Sequence, residues 1–560
     1  MGCLNRRMGN GPVNPALARL ANRPRWALPW LEDDAALTIP QLWAGRMRAD
    51  AFDARAYGCE GLIGVHWHTR GIAPSTLALA RAAWNQDALS PADAETSGWA
   101  DGLTAAFPAI AVQGTSLAPL YQTLRFNMSL CRLAVSNGTY RVILKFCEPQ
   151  YREAGRRVFA VRIQGQTVLD RFDIFARAGR HRALDCSFAN IQVTDGRLDI
   201  EFDRQVDWPC IAAMEIQGDG YSHKINCGGL AFTDYSPDLP DMIRALPALD
   251  LYQDWAAHEF GLPAGNLAGQ LLAKLDGRLP RPTAYDQGPG GVKADPRPWA
   301  AIASEYAFVN EWEGLRPQIS GPGNCERFDY WLNTFRYLRA VARVGSLWAE
   351  YNRVTDQVKA ESEPGRKKNL AKTVVLPARR QLVEGLGAVY QGLLATISNP
   401  GELGTIANWE QHILPRMIDR PGAELEQLLG EPLPATALLS TNYIGPTRII
   451  VPTCRTSISG TQDLTLKVLI LAARPPREAA LLWRPMGQGE FHRLSLVHVS
   501  RGVYTVSMAL PLSQESDFEY YIDVTSRDTE RVFFPTTAPS LNQTVVVLPW
   551  PKGGTRLTED

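Results

Sequence analysis

The sequence predicts a multidomain α+β chain: a strand-and-helix segment, a β-sandwich, a helical domain and a second β-sandwich. Three observations carry this. At 560 residues the chain is several times longer than one ordinary domain of about 100–200 residues. Its apolar residues change period along the chain. They alternate at Tyr140, Val142, Leu144 and Phe146, but recur every three or four residues at Phe328, Trp331, Leu332, Phe335 and Leu338. Asn137-Gly138 and Asp195-Gly196 supply turn dipeptides whose central positions tolerate positive φ. The expected boundaries are 1–90, 91–239, 240–435 and 436–560.

In the first segment, Trp26 to Leu31 and Gly61 to Trp67 read as short buried strands. Gln41 to Tyr57 reads as a helix with Leu42, Ala49, Phe52 and Ala56 on one stripe, and Leu77 to Trp84 as another. Apolar strands joined through helices mark parallel α/β units. Residues 91–115 are small, acidic and turn-rich, as a linker would be. From there to Gly218 alternation dominates, and the Asx-Gly pairs read as hairpins. Between 240 and 430 the pattern is helical, clearest from Arg327 to Val354. Asn408-Trp409-Glu410-Gln411-His412 reads as a helix cap or a site edge. Strands return at Leu464 to Leu471, Ala480 to Trp483, Val503 to Met508, Phe518 to Val524 and Thr544 to Leu548. Their spacing predicts an immunoglobulin-like sandwich, with Tyr520 and Tyr521 on opposite faces.

Composition narrows the function. Lys+Arg and Asp+Glu both number 58, so the formal net charge is zero, against the basic surface that general nucleic-acid binding needs. No apolar run reaches about 18 residues, so no membrane span is expected. MGCLNRRMGN contains no apolar stretch of about 7–15 residues, so no signal peptide is read. The nine cysteines are scattered without a Cys-x-x-Cys pair, which argues against a zinc site or disulfide scaffold. Neither metal nor cofactor is expected. Gly288-Pro289-Gly290-Gly291 lacks the Lys-Ser/Thr of a phosphate loop.

The 116–218 segment carries a resemblance. Tyr121-Gln122-Thr123-Leu124-Arg125-Phe126, Asn137-Gly138-Thr139-Tyr140-Arg141-Val142, Phe146-Cys147-Glu148, Gly155-Arg156-Arg157-Val158-Phe159 and Ile163-Gln164-Gly165 follow one another. Phe172-Asp173-Ile174, Asp195-Gly196-Arg197-Leu198 and Trp208-Pro209-Cys210-Ile211 complete the run. In this order the motifs resemble malectin and malectin-like modules. The resemblance implies a carbohydrate-binding β-sandwich, a glycan or polysaccharide partner and an extracellular or periplasmic setting. Carried over by motif, the binding residues are Tyr121, Phe126, Tyr151 and Asp207. Aromatic faces stack on the C–H face of a pyranose and a carboxylate accepts from its hydroxyls; the same aromatics would also serve to pack a sandwich edge. One element is displaced. The family opens on Ile-Asn-x-Gly-Gly, whereas here Ile225-Asn226-Cys227-Gly228-Gly229 follows the sandwich. Either the module is permuted or this strand belongs to another unit.

Residues 1–90 resemble the last strands of a (β/α)8-barrel glycoside hydrolase, a barrel remnant. The resemblance places Glu32, Asp33 and Asp34 beyond one strand as catalytic carboxylates, and Trp67, His68 and Arg70 beyond the next as substrate-binding groups. The acids would equally cap the following helix. Two strands cannot close an eight-stranded barrel, so an incomplete site is expected, with the remainder missing or supplied by a partner chain. The sequence thus points to carbohydrate binding within a polysaccharide-degrading protein of glycoside-hydrolase type, or to a non-catalytic carbohydrate-binding or adhesion protein.

Overall fold

The computed structural model describes residues 3–4, 13, 17, 20, 23–31, 41–66, 70–86, 99–100, 103–107, 110–218, 220–229, 231–239, 245–262, 264–284, 290–459, 462–509 and 516–548. The chain forms two compact units: Met1–Leu31, Trp43–Val65 and Ser75–Pro247 make the first, and Glu32–Leu42, His66–Pro74 and Ala248–Asp560 the second. Both mix helices with sheets.

The first unit opens with β1 (Cys3–Leu4), β2 (Trp26–Leu28), α1 (Ala44–Ala56), β3 (Gly61–Leu62) and α2 (Ala73–Trp84). The strands pair in parallel in the order β1-β2-β3, as expected for α/β units, and Trp30 bridges Val65 beyond them. Helix α1 departs from the expected stripe. Arg46, Arg48, Asp50 and Asp53 are buried together with its alanines, while Ala56 is exposed. Arg46 donates to the Trp30 carbonyl and stacks 4.1 Å over the Trp43 ring, and Arg48 donates to the Pro247 carbonyl. Buried guanidinium groups need such partners.

The sandwich follows. Its strands are β4 (Trp99–Ala100), β5 (Leu103–Ala106), β6 (Thr123–Phe126), β7 (Leu130–Ala134), β8 (Gly138–Phe146), β9 (Val158–Ile163) and β10 (Gln166–Phe172). After α3 (Ile174–Ala178) come β11 (Leu184–Val193), β12 (Arg197–Val206), β13 (Cys210–Ile211), β14 (Ala213–Gly218) and β15 (Tyr221–Asn226). One sheet runs β10-β9-β12-β7-β4, the other β11-β8-β14-β15, and a smaller one β13-β6-β5. Alternate residues of the two large sheets meet in one core: Tyr140, Val142, Leu144 and Phe146 from β8, Phe159 and Val161 from β9, Leu198 and Ile200 from β12, Met214 and Ile216 from β14.

Two sequence expectations are corrected here, and a third question, left open, is narrowed. The segment read as a linker contributes β4, which pairs with β7, and β5, which pairs with β6. The Asx-Gly turns are not hairpins. Asn137-Gly138 carries the chain from β7 in one sheet to β8 in the other, and Asp195-Gly196 returns it from β11 to β12. The two turns support each other, since Asn137 Oδ1 accepts the Gly196 N–H at 2.8 Å and the Gly196 carbonyl accepts from Val135 at 3.0 Å. A tight hairpin is found instead at β9–β10, where Gln164 and Gly165 take φ of 50° and 72°. Third, the displaced strand belongs to the sandwich. β15 pairs antiparallel with β14, Asn226 accepts from Thr123 Oγ1 at 2.8 Å, and Arg125 binds Asp238. Of the two readings left open, a strand belonging to another unit is excluded.

The second unit contains α4 (Leu249–Phe260), α5 (Ala264–Leu275), β16 (Thr283–Ala284), β17 (Gly291–Val292), α6 (Trp299–Ile302), α7 (Phe308–Leu315), α8 (Pro322–Lys359), α9 (Pro364–Leu370), α10 (Leu376–Thr396), α11 (Pro400–Asn408) and α12 (Arg420–Leu429). Helix α8 starts where Gly321, at φ 85°, hands over to Pro322, whose missing N–H costs nothing in a first turn. Phe328, Trp331, Leu332, Phe335, Leu338, Ala342 and Tyr351 are all buried, as the periodicity predicts. Trp409 donates its indole N–H to Tyr337 Oη at 2.7 Å inside a continuous helical stretch, so the Asn408–His412 cluster is not a helix cap.

The remaining strands are β18 (Arg448–Ile450), β19 (Ser457–Ser459), β20 (Leu464–Leu471), β21 (Glu478–Pro485), β22 (His492–Ser495), β23 (Val497–Ser500), β24 (Val503–Met508), β25 (Phe518–Thr525), β26 (Arg531–Phe534) and β27 (Gln543–Leu548). They form sheets β18-β20-β24-β23 and β19-β27-β25-β21-β22, with β26 beside β25 and one core between the sheets. Tyr520 lies in that core, while Tyr521 packs against Phe491 and Phe533. Both rings are buried although they face opposite ways. No described helix is long and apolar enough to cross a membrane.

Candidate functional site

Four side chains from three loops gather at one end of the first unit's sandwich. Phe126 ends β6. Tyr151 follows β8, and Asp207 and Trp208 follow β12. Two residues in left-handed conformation, Asn127 at φ 54° and Asp207 at φ 53°, turn the chain at these strand ends. The Asn127 N–H donates to the Pro209 carbonyl at 2.9 Å and ties the two turns together. The Phe126 and Trp208 rings stack with centroids 5.6 Å apart and 26° between planes, and Trp208 keeps 39% of its surface exposed. Tyr151 Oη donates to Asp207 Oδ2 at 2.8 Å, which raises the phenol above its ordinary pKa.

A buried ion pair holds this surface from beneath. Glu148 is fully buried. Its Oε1 accepts the N–H groups of Gln150 and Tyr151, both at 3.0 Å, and its Oε2 accepts from Arg157 Nε at 2.8 Å. Arg157 also donates to the Trp208 carbonyl and stands 3.5 Å from Asp207. Burial works against the Arg157 charge, but Glu148 and Asp207 outweigh it and hold the guanidinium above its ordinary pKa. One arginine therefore joins the Tyr151 loop to the Asp207–Trp208 loop, and the Asn127–Pro209 bond ties in the third. The result is a stacked aromatic pair, a phenol and a part-exposed carboxylate on one rigid surface. Such a surface suits a ligand with apolar C–H faces and hydroxyl donors.

The structure thus brings together Phe126, Tyr151 and Asp207 of the sequence-expected residues. It does not bring Tyr121. That ring is 2% exposed and its Oη donates to Asp185 Oδ1 at 2.5 Å. Tyr121 belongs to a polar network in which Lys145 Nζ meets Asp185 at 2.6 Å and Glu215 at 2.9 Å, and Tyr235 donates to Glu215. A ring covered on both faces has none to offer a ligand. Trp208 is the residue that sequence reasoning missed. The signal was there, since a tryptophan between Asp207 and Pro209 at a strand end has no strand face to bury it.

Glu32, Asp33, Asp34, Trp67 and His68 lie outside the described residues. Arg70 is described, in the second unit. Its two terminal nitrogens donate to Glu326 at 2.7 and 2.6 Å, and its guanidinium stacks 4.3 Å from the Tyr330 ring. Its guanidinium is thus engaged by a carboxylate of its own chain. Among the described residues no three His, Cys, Asp or Glu side chains form a metal-ligating group, and the cysteines from Cys59 to Cys454 form no disulfide there. Burial pushes the Cys147 and Cys210 thiols up to about 12.

Comparison with known proteins adds an independent line. The family model described as the malectin domain matches residues 80–219. Malectin-B of Xenopus laevis is 33% identical over 85 residues, 15% of this chain and 30% of that protein. Malectin of Homo sapiens is 33% identical over 85 residues, 15% of this chain and 29% of that protein. This chain therefore spans less than a third of the curated relatives it matches. Among solved structures, Bacteroides uniformis beta-glucuronidase aligns at 24% identity over 23% of this chain and 15% of its own, with a TM-score of 0.21. The extracellular domain of ANXUR1 from Arabidopsis thaliana aligns at 16% identity over 25% of this chain and 44% of its own, with a TM-score of 0.20. Family model and residue motifs coincide on one stretch of the chain, and residues 80–219 match the malectin domain.

Proposed function

We propose that this protein binds carbohydrate through the surface formed by Phe126, Tyr151, Asp207 and Trp208. The observation that carries this is the Phe126–Trp208 stack beside a carboxylate held by Tyr151 and Arg157. A pyranose lays its C–H face on the indole while Asp207 accepts from adjacent hydroxyls. The malectin domain supports the same reading. A glycan array followed by calorimetric titration tests it. Trp208→Ala, Tyr151→Ala and Asp207→Asn are each expected to weaken binding tenfold or more, about 1.4 kcal/mol, while Tyr121→Phe leaves affinity unchanged. No binding to any glycan, or equal binding by all variants, would overturn the proposal.

For the surrounding chain, the proposed setting is a polysaccharide-degrading protein of glycoside-hydrolase type. The parallel β2–α1–β3 unit supports a barrel-derived first segment, with Glu32, Asp33 and Asp34 following β2 in sequence. The strand order of the last two sheets supports an immunoglobulin-like sandwich, since β18-β20-β24-β23 faces a sheet with β27, β25 and β21 adjacent, as in that fold. The non-catalytic alternative predicts that the chain binds polysaccharide and releases no reducing ends. Turnover that disappears in the triple alanine variant of Glu32, Asp33 and Asp34 would select the hydrolase reading.

A further inference from the structure

The second unit contains a cleft of about 1490 Å³, well above the ~300–1,000 Å³ of an ordinary small-molecule pocket. Five arginines line it, Arg316, Arg336, Arg339, Arg343 and Arg448, against two carboxylates, Glu326 and Asp329. The chain as a whole has equal numbers of basic and acidic residues, so the imbalance is local.

Both carboxylates are already committed. Asp329 takes Arg316 through two bonds at 2.5 and 3.0 Å, and Glu326 takes Arg70 through two at 2.7 and 2.6 Å. Arg336 reaches Glu313 at 2.7 Å. Three cations remain. Arg339 donates to Asn310 at 2.8 Å and comes no nearer than 3.8 Å to Glu313. Arg343 is exposed and has no carboxylate partner among the described residues. Arg448 is half-buried and donates to the carbonyls of Leu394 and Ile397, which carry no net charge, and burial lowers its pKa. Arg336, Arg339 and Arg343 recur at spacings of three and four, so α8 presents them on one face.

The rest of the lining is suited to rings and hydroxyls. Trp299 is half-buried beside Tyr306, and Tyr443 stands near Arg448 at the other side. Asn333 and Gln391 supply amides able to donate and accept. Ala340, Ala388 and Ala395 leave the space open.

We infer that this cleft binds an acidic oligosaccharide, with its carboxylate or sulfate groups on Arg339, Arg343 and Arg448 and sugar rings against Trp299 and Tyr443. The need for an anion stands on the cleft alone. The choice of a saccharide over another polyanion rests on the carbohydrate reading of the sandwich.

The test is calorimetric titration of the full chain with an oligogalacturonide, a chondroitin sulfate oligosaccharide, a neutral cello-oligosaccharide and a single-stranded DNA of similar length. Binding of one or both acidic saccharides is expected, weakening with added salt. The two acidic arms show whether carboxylate or sulfate is preferred. Arg339→Glu/Arg343→Glu, both at exposed or part-exposed positions, should lower that affinity tenfold or more, whereas Tyr151→Ala and Trp208→Ala should leave it unchanged. Trp299→Ala should weaken it without altering its salt dependence. The inference is overturned if neither acidic saccharide binds, if the arginine variant binds as well as the parent, or if DNA binds as tightly. Loss of binding in Tyr151→Ala would also overturn it, by assigning the ligand to the sandwich. A neutral glycan that fails on the sandwich, with acidic ones still captured by the cleft, would sink the earlier proposal and leave this one standing.

Discussion

Three donors converge on the fully buried carboxylate of Glu148, and Arg157 is the charged one. Removing it leaves an uncompensated buried charge, a change that typically costs about 3–5 kcal/mol. Arg157→Met should therefore lower stability by that order in urea denaturation. Arg157→Met/Glu148→Gln should recover part of the loss, because the two backbone donors keep an acceptor. The Lys145–Glu215 network makes a prediction in pH. Burial opposes the charged form of Glu215, but Tyr235 and Lys145 outweigh it and set the carboxyl below its ordinary 4.5. A depressed folded pKa means the unfolded chain takes up the proton first. This contribution is thus complete above pH 4.5 and is lost as pH falls below it. Glu215→Gln should lower the neutral plateau of a melting-temperature profile and flatten its acid limb between about pH 3 and 5. At this scale the sequence was legible where a motif fixes a residue's place, as for Tyr151 and Asp207, whose side chains the fold brings together. Tyr121 was misread because an aromatic within a motif looks the same whether its ring is covered or bare. Only the fold puts Asp185 within reach of its hydroxyl.

Among the elements, Gly228 is the position that least tolerates change. Its φ is 81°, and a Cβ there would stand 2.3 Å from the Leu124 carbonyl oxygen. The conformation alone costs an L-residue about 1–2 kcal/mol, and the clash with backbone adds to it. Gly228→Ala should cut the denaturation midpoint sharply and loosen β6, seen as faster amide exchange at Thr123 to Arg125. Alternation told correctly that Tyr140, Val142, Leu144 and Phe146 of β8 point inward, because a period of two has only one answer once one face is buried. It could not tell which sheet each strand joins. Asn137-Gly138 and Asp195-Gly196 are good turns, but a turn dipeptide records backbone conformation, and crossing between sheets needs a reversal just as a hairpin does. Helix α1 failed a different test. A helix covered on nearly every side has no stripe, and its arginines are held by carbonyls that the local sequence does not reveal.

For the whole molecule, the division into two compact units was only partly visible in the sequence, because they are interleaved. Glu32–Leu42 and His66–Pro74 belong with the chain after Ala248, while the stretches around them belong to the first unit. Composition and periodicity change gradually along a chain and do not register such crossings. Two cores of this kind should not melt as one cooperative step. Scanning calorimetry should give a calorimetric enthalpy larger than the van't Hoff value, and a sandwich ligand at about one hundred times its Kd should stabilise one transition by roughly 2.7 kcal/mol. A single transition with equal enthalpies would show instead that the units unfold together.

The late position of β15 has a consequence for synthesis. Arg125 leaves the ribosome 113 residues ahead of Asp238, its carboxylate partner, and β14 leaves ahead of the strand that covers its edge. At roughly 5–20 residues per second the nascent sandwich holds Arg125 without its carboxylate for on the order of ten seconds. Its β14 edge stays open to a stray strand until β15 emerges. A malectin-like chain that begins with this strand is translated with its closing piece already in hand; here it is the last part of the domain to be delivered.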